Sequence, residues 1–254
     1  RSAYCGVGLG CAWGRSFCSP SHFFGRRHIK FFTSGKDLYD EMVRVKRRFR
    51  TDIVSFIGDD NFLLDRQRAE ELRECVIAGK ETFNIFLFGS ADQVAAFGPE
   101  RLAEMGTSMI WIGREGKFSG YAKNRGIDMK SLIAELRSVG IKTILSSILL
   151  LEEHDKKTIE EDIDEHLACN PVFSQFAHYS PVPGTPLYDR LEKEGRILHQ
   201  IPLEEWHAFR QPWFVHPSFT LVEAEKVQNR AYTRDFFELG PSTLRFIAVE
   251  LEGW

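Results

Sequence analysis

The residues with the most chemistry in them lie near the N-terminus, in Gly10-Cys11-Ala12-Trp13-Gly14-Arg15-Ser16-Phe17-Cys18-Ser19-Pro20, which holds two of the chain's five cysteines. The stretch is rich in Gly, Ser and Pro and so reads as a loop. It follows an apolar run, Ala3 to Leu9, that reads as a buried strand. A strand that feeds thiols into a loop is a metal-site arrangement, because thiolates are soft ligands suited to iron–sulfur clusters. Between the two cysteines stands Arg15. Its guanidinium stays protonated and has no lone pair to give a metal. Beside two thiols it favours their thiolate forms and offers a charge-assisted contact in place of metal, so the loop can be ordered without iron. Cys5, in the preceding run, is the nearest other thiol, and serves as a substitute ligand only if a strand residue swings into the loop.

Such a loop needs a rigid scaffold. With 254 residues, 43% of them apolar and 13% aromatic, the chain has the composition of one α/β-barrel-sized domain rather than of a disordered one. A net charge of −3 and a pI near 6.3 lack the basic excess of a non-specific nucleic-acid binder. No apolar run reaches the length of a membrane span, and the N-terminus lacks the basic segment and cleavage site of a signal peptide. Five cysteines, an odd number, fit a reducing cytoplasm better than a disulfide framework. A chain that begins at Arg1 and stops at Trp254 without a polar tail reads as a piece of a longer protein.

Periodicity places the elements. Helical spacing of apolar residues covers 37–45, 65–78, 93–105 with a break or start at Gly98-Pro99, 128–138 ending at Gly140, 157–168 and 187–193. Strands are expected over 53–57, 84–88, 109–112, 143–149 and 172–177, besides the first run. Strand and helix alternate, and the strands are continuous apolar runs, as in parallel sheets covered by helices. A partial (β/α)6 barrel is the expected α/β fold, with a doubly wound open sheet as the alternative. In such barrels function gathers at the C-terminal strand ends. There stand, in order, Cys11 and Cys18, Asp59-Asp60-Asn61, Gly113-Arg114-Glu115, Ser146-Ser147 and His178-Tyr179.

The cysteine loop, the Asp59-Asp60-Asn61-Phe62 turn, Trp111-Ile112-Gly113-x-Glu115 and Ser180-Pro181-Val182-Pro183-Gly184-Thr185-Pro186-Leu187 together resemble radical S-adenosylmethionine (SAM) proteins that carry a cobalamin-binding domain upstream of the barrel. The likeness spans residues 1–197, and 198–254 resembles the mostly helical extension that follows the barrel in some of them. It implies that Cys11 and Cys18 are 4Fe-4S cluster ligands, with Arg15 at the third ligand position. It places Asp59 and Asp60 at the SAM amino group, Glu115 at the ribose, and Ser146 or Ser147 and Tyr179 near the sugar and adenine. An ionised carboxylate suits the ribose because it accepts both hydroxyl protons. The implied activity is reductive cleavage of SAM to a radical that abstracts hydrogen from an unactivated carbon, in cobalamin-dependent methyl transfer or rearrangement. An electron donor such as flavodoxin or ferredoxin, a small-molecule or lipid-like substrate, and cobalamin held by a domain outside this chain go with it. The other reading is a degenerate barrel that lacks a stable cluster and acts as a SAM-binding or scaffolding module. Gly116, where a serine is usual, and Leu150-Leu151, where a glycine turn often stands, depart from the pattern.

Plainer roles compete with these. Asp59-Asp60-Asn61 is also a helix-cap sequence. Glu115 can pair with Arg114 or Lys117 on a solvated loop, and the basic run Arg44 to Arg50 reads as a solvated helix face. Cys75 and Cys169 fall within helix patterns as packing residues, and His178 and His216 read as structural histidines. Pro181-Val182-Pro183-Gly184 fixes a turn and carries no chemistry.

Overall fold

The computed structural model of the chain describes residues 2–57, 59, 62–119 and 126–252. Its elements are β1 (Ala3–Gly6), β2 (Gly8–Leu9), α1 (Ser19–Phe23), β3 (Ile29–Lys30), α2 (Gly35–Phe49), β4 (Ile53–Ile57), α3 (Arg66–Ala78), β5 (Asn84–Gly89), α4 (Ala91–Phe97), α5 (Pro99–Glu104) and β6 (Thr107–Glu115). They continue with α6 (Met129–Ser138), β7 (Lys142–Leu149), α7 (Thr158–Ala168), β8 (Phe173–His178), α8 (Pro186–Lys193), α9 (Leu221–Leu239) and α10 (Ser242–Glu252).

Six strands form one parallel sheet in the order β1-β4-β5-β6-β7-β8, which is their order along the chain. A doubly wound sheet reverses direction at a switch point. No reversal occurs here, so the architecture is the partial barrel. The helix starts are set locally: Ser34, Asp65, Asp128, Thr185 and Thr220 each accept a backbone N–H of the first turn. Gly98, at φ +99, ends α4, and Pro99 opens α5 behind it, so the stretch 93–105 is two helices.

Strand alternation sorts the side chains into two sets. Val54, Phe56, Ile85, Leu87, Ile110, Ile112 and Leu145 join Leu38, Met42, Leu72 and Leu136 of the helices in the main core. The opposite parity, with Phe86, Phe88, Trp111, Ile144, Ser146 and Gln175, is only partly buried and lines the concave face. A second cluster packs α7 and α9 over β7 and β8, through Leu149, Ile163, Phe176 and Val227.

The first apolar run is not one strand. The chain leaves the sheet at Val7, and Gly8–Leu9 pairs antiparallel with Ile29–Lys30, closing the cysteine loop at its neck. The Val7 carbonyl accepts from Phe31 N–H at 3.1 Å, which draws the chain toward the returning limb. At the other edge, α9 covers β8: Tyr232 and Gln228 side chains meet the Phe176 N–H and carbonyl at 3.1 and 2.7 Å. This satisfies backbone groups that an edge strand would leave open. Beside it, α10 is tied to the start of β7 by Lys142–Glu250 at 2.5 Å and to α6 by Arg137–Glu252 at 2.7 Å.

Candidate active site

The neck of the cysteine loop is held from below by a buried ion pair. Asp59 follows β4, and its Oδ2 accepts from Arg68 Nη2 of α3 at 3.0 Å, both side chains being fully excluded from solvent. His28 Nε2 meets Asp59 Oδ1 at 2.9 Å. Arg68 Nη1 also donates to the carbonyls of Val7 and Phe32, each at 3.3 Å, on the two limbs of the neck. Glycine is required at position 8, where a Cβ would stand 2.6 Å from Asp59 Oδ2. Asp59 is therefore built into the fold, with its carboxylate turned toward α3 and His28. Asp60 and Asn61 lie outside the described residues.

Above the neck the loop crosses the open side of the barrel. β1 and β8 are opposite edges, five strand spacings apart, which in a flat sheet would be roughly 24 Å. Yet Ser16 accepts from Leu187 N–H at 3.0 Å, and Phe17 packs edge-on against Tyr179, centroids 5.7 Å apart. The sheet is thus curled, with the loop bridging its mouth. Gly10 and Gly14 hold φ of +81 and +67, and a Cβ at Gly10 would sit 2.3 Å from the Arg27 carbonyl. The Arg15 carbonyl accepts from Cys18 N–H at 3.1 Å and His22 Nε2 at 2.8 Å, which fixes the turn carrying the second thiol. The Pro181–Gly184 turn meets α1, and Gly184 takes φ +84 with Phe23 against it.

At the centre of the mouth Arg15 makes an ion pair with Glu115, the last residue of β6. The two side chains are 13% and 10% exposed. Burial works against the Arg15 charge, but Glu115 first, then Cys18 and Cys11, outweigh it and raise the guanidinium's pKa above its usual value. These four groups therefore share one electrostatic neighbourhood. Arg15 also lies over the Phe17 ring, 5.7 Å from its centroid.

Glu115 reaches the mouth because β6 is irregular there. The register with β7 shifts between Gly113 and Glu115, and Glu115 has φ +68, rare for a residue with a side chain. Its neighbour Arg114 points the other way, into α7, donating to Asp162 Oδ1 at 3.1 Å and Glu165 Oε2 at 2.7 Å. Asp162 also accepts from the Lys117 N–H at 2.7 Å and meets His154 Nε2 at 2.8 Å. Burial opposes the Asp162 charge, yet His154 and Arg114 hold its pKa below the usual carboxylate range. One aspartate thus holds the Arg114 side chain before Glu115 and the Lys117 backbone after it. Neither Arg114 nor Lys117 is the partner of Glu115, since Lys117 goes to Glu161 and Glu165.

The paired serines part company by strand parity. Ser146 Oγ donates to Gln175 Oε1 at 2.7 Å on the concave face, whereas Ser147 Oγ lies 2.8 Å from His166 Nδ1 among the α7 residues. Of the two, only Ser146 is placed toward the mouth. Tyr179 is buried between Phe17 and Phe214. Cys5 shares the main core with Leu38 and Met42, on the helix-covered side, and burial, then Glu41, push its thiol up to about 11. The structure does not bring it to Cys11 and Cys18, because strand parity commits it to the core. Not anticipated from sequence are Arg68, His28, Asp162 and the aromatic wall of Phe86, Phe88 and Trp111, in which Phe88 and Trp111 stack at 5.2 Å.

No protein-family model matches this chain, and no curated protein is significantly similar to it. Solved structures do match. TsrM from Kitasatospora setae, a radical SAM methyltransferase determined with cobalamin and a [4Fe-4S] cluster, superposes with a TM-score of 0.65 at 17% identity. The match covers 76% of this chain and 39% of that one. The chain has the radical SAM fold. TsrM with tryptophan substrate and the analogue aza-SAM gives the same score and identity over 38% of its length. Coproporphyrinogen III oxidase (HemN) from Escherichia coli, a radical SAM enzyme, matches over 94% of this chain and 52% of its own, at a TM-score of 0.57 and 12% identity. The chain thus spans from about two-fifths to half the length of these proteins.

The fold implies a 4Fe-4S cluster, and the donor set can be tested against it. Two thiols flank a guanidinium already committed to a carboxylate, and among the described residues no group of three or more His, Cys, Asp or Glu side chains could hold a metal. The residues do not fit a cluster that needs three thiolates. Among the described residues no helix is long and apolar enough to cross a membrane.

Proposed function

We infer that this chain is a barrel that binds a SAM-type ligand at its C-terminal mouth without a four-iron cluster. The observation that supports this reading is the ion pair of Arg15 with Glu115: a cation that cannot ligate iron, standing between Cys11 and Cys18 in the sequence and within electrostatic reach of both. Glu115, Ser146 and Tyr179 bound the space for the ligand. In this reading residues 1–197 are the barrel unit and residues 198–254 an extension that closes the β8 edge.

The radical SAM reaction is the second reading, favoured by the two cysteines on either side of Arg15 and by the enzymes of like fold. A cluster would supply reductive cleavage of SAM. The reaction would also call for an electron donor of the flavodoxin or ferredoxin kind, a small-molecule or lipid-like substrate, and cobalamin from a domain outside these residues. Arg15 leaves this reaction one thiolate short. Arginine and cysteine codons differ by a single nucleotide, so the scaffold stands one substitution away from it.

Anaerobic reconstitution with iron and sulfide, of the protein beside its Arg15→Cys variant, separates the two. The protein itself is expected to retain no stable cluster and to bind SAM in a calorimeter. The variant is expected to gain about four irons per chain and to cleave SAM to 5′-deoxyadenosine under reductant. A full cluster and SAM cleavage in the unaltered protein would overturn the first reading in favour of the second.

A further inference from the structure

The Arg15–Glu115 pair has a chemistry of its own. A lone guanidinium selects anions and a lone carboxylate selects cations. A contacting pair is close to neutral, so a singly charged ligand loses against one partner what it gains from the other. A zwitterion satisfies both. The molecule with adjacent carboxylate and ammonium groups is an α-amino acid, free or as the head group of a larger compound.

The site is arranged to receive one. The two side chains come from different elements, the loop after β2 and the end of β6, and meet at the C-terminal strand ends, where barrels of this kind bind ligands. Arg15 carries five N–H donors, and Glu115 is the one acceptor its side chain has among the described residues. A guanidinium pairs with a carboxylate through two parallel hydrogen bonds. Phe17, partly exposed, lies beside the Arg15 guanidinium and packs on the buried Tyr179, so the Arg15–Glu115 pair has an apolar neighbour on the loop side. The segment holding Glu115 is anchored independently by Asp162, through the Arg114 side chain and the Lys117 N–H, so the carboxylate is presented in place before any ligand arrives.

We propose that Arg15 and Glu115 anchor an α-amino-acid head group, its carboxylate on Arg15 and its ammonium on Glu115. The proposal rests on the reading that a SAM-type ligand occupies the mouth. It shifts Glu115 from the ribose, where the family resemblance puts it, to the amino-acid end, where its contact with Arg15 puts it.

Calorimetric titration with three probes tests it: S-adenosylhomocysteine, methylthioadenosine, which keeps the nucleoside and lacks the head group, and free methionine. S-adenosylhomocysteine is expected to bind about 10- to 100-fold more tightly than methylthioadenosine, the range for a charge-assisted contact. Arg15→Gln is expected to abolish that difference while leaving methylthioadenosine binding unchanged, which also shows that the variant is folded. Glu115→Gln should weaken S-adenosylhomocysteine in the same selective way. Equal affinity of the two nucleosides for the unaltered protein, or an equal loss of both in Arg15→Gln, overturns the head-group anchor and leaves the ligand reading standing. Methionine binding without either nucleoside keeps the anchor and removes the SAM-type reading. Failure of all three probes removes both.

Discussion

Two arginine–carboxylate pairs frame the cysteine loop, and they are built for opposite purposes. At the neck, Arg68 and Asp59 are sealed from solvent, with Asp59 held by Arg68 and His28 and with Arg68 donating onward to two carbonyls. At the mouth, Arg15 and Glu115 are 13% and 10% exposed, and among the described residues Glu115 is the one acceptor of the guanidinium. A sealed pair whose carboxylate and both terminal guanidinium nitrogens are engaged is scaffold. A pair at a strand end with donors to spare can exchange partners. The same two residue types thus serve as architecture and as a site, and surroundings alone decide which.

Breaking the neck should have the largest effect. Arg68→Met leaves the Asp59 charge buried without its guanidinium, a loss of about 3–5 kcal/mol. In a chain of this size that lowers the melting temperature by roughly 10 °C, measurable by calorimetry. Amide exchange of residues 10–28 should rise with it, because the loop closes through Val7 and Phe32. A melting temperature within a degree or two of the parent would show that the neck pair is not what holds the loop.

Arg15→Ala should cost less than Arg68→Met, because the mouth pair keeps some exposure and truncating the arginine lets water reach the Glu115 carboxylate, whereas the neck pair is fully sealed. The contrast between the two arginine variants, in chemical denaturation under one set of conditions, is the direct check on the distinction. Equal losses would make Arg15 a second structural clamp.

Part of this contrast could be read from the sequence and part could not. The six strands were legible because each is an apolar run in a β/α alternation, and Glu115 because it stands where a strand must end. Arg15 was legible as a residue that cannot ligate metal, but its partner lies a hundred residues away across a curled sheet, which no local pattern reports. The Arg68–Asp59 pair was hidden for the same reason: Arg68 sits in an ordinary amphipathic helix, and only packing makes it the keystone of the neck. The hairpin of two-residue strands carries too few residues for any periodicity. One signal was present and unused. With Leu145 on the core side, parity alone puts Ser147 with it and Ser146 on the other face.

The helix-covered side should also show itself in acid. His166, pushed down to about 3 by burial and then by Arg114, and His178, pushed down to about 4 mainly by burial, are neutral in the fold. In the unfolded chain they take a proton near 6.5. Their stabilisation is therefore complete above that pH and is lost as pH falls toward the folded values, since the unfolded state then binds more protons. Each should contribute a slope of about 1.4 kcal/mol per pH unit between roughly 4 and 6.5. His178→Leu should remove one such slope. An unchanged acid limb would mean that the ring is already hydrated in the fold.

The smallest and most discriminating effect separates the two serines. Ser147 meets a buried imidazole, so Ser147→Ala should cost about 1 kcal/mol of stability and leave ligand titrations at the mouth untouched. Ser146 meets Gln175 on the partly exposed concave face, where water can replace the lost hydroxyl, so Ser146→Ala should be nearly silent in stability. Any change it makes should be in ligand affinity. The pair of variants therefore separates scaffold from site at two adjacent positions of one strand, where composition, sequence neighbourhood and distance from the termini are held constant. If both alter stability and neither alters binding, the concave face at Ser146 is structure rather than site, and the ligand space contracts toward Arg15, Glu115 and Tyr179.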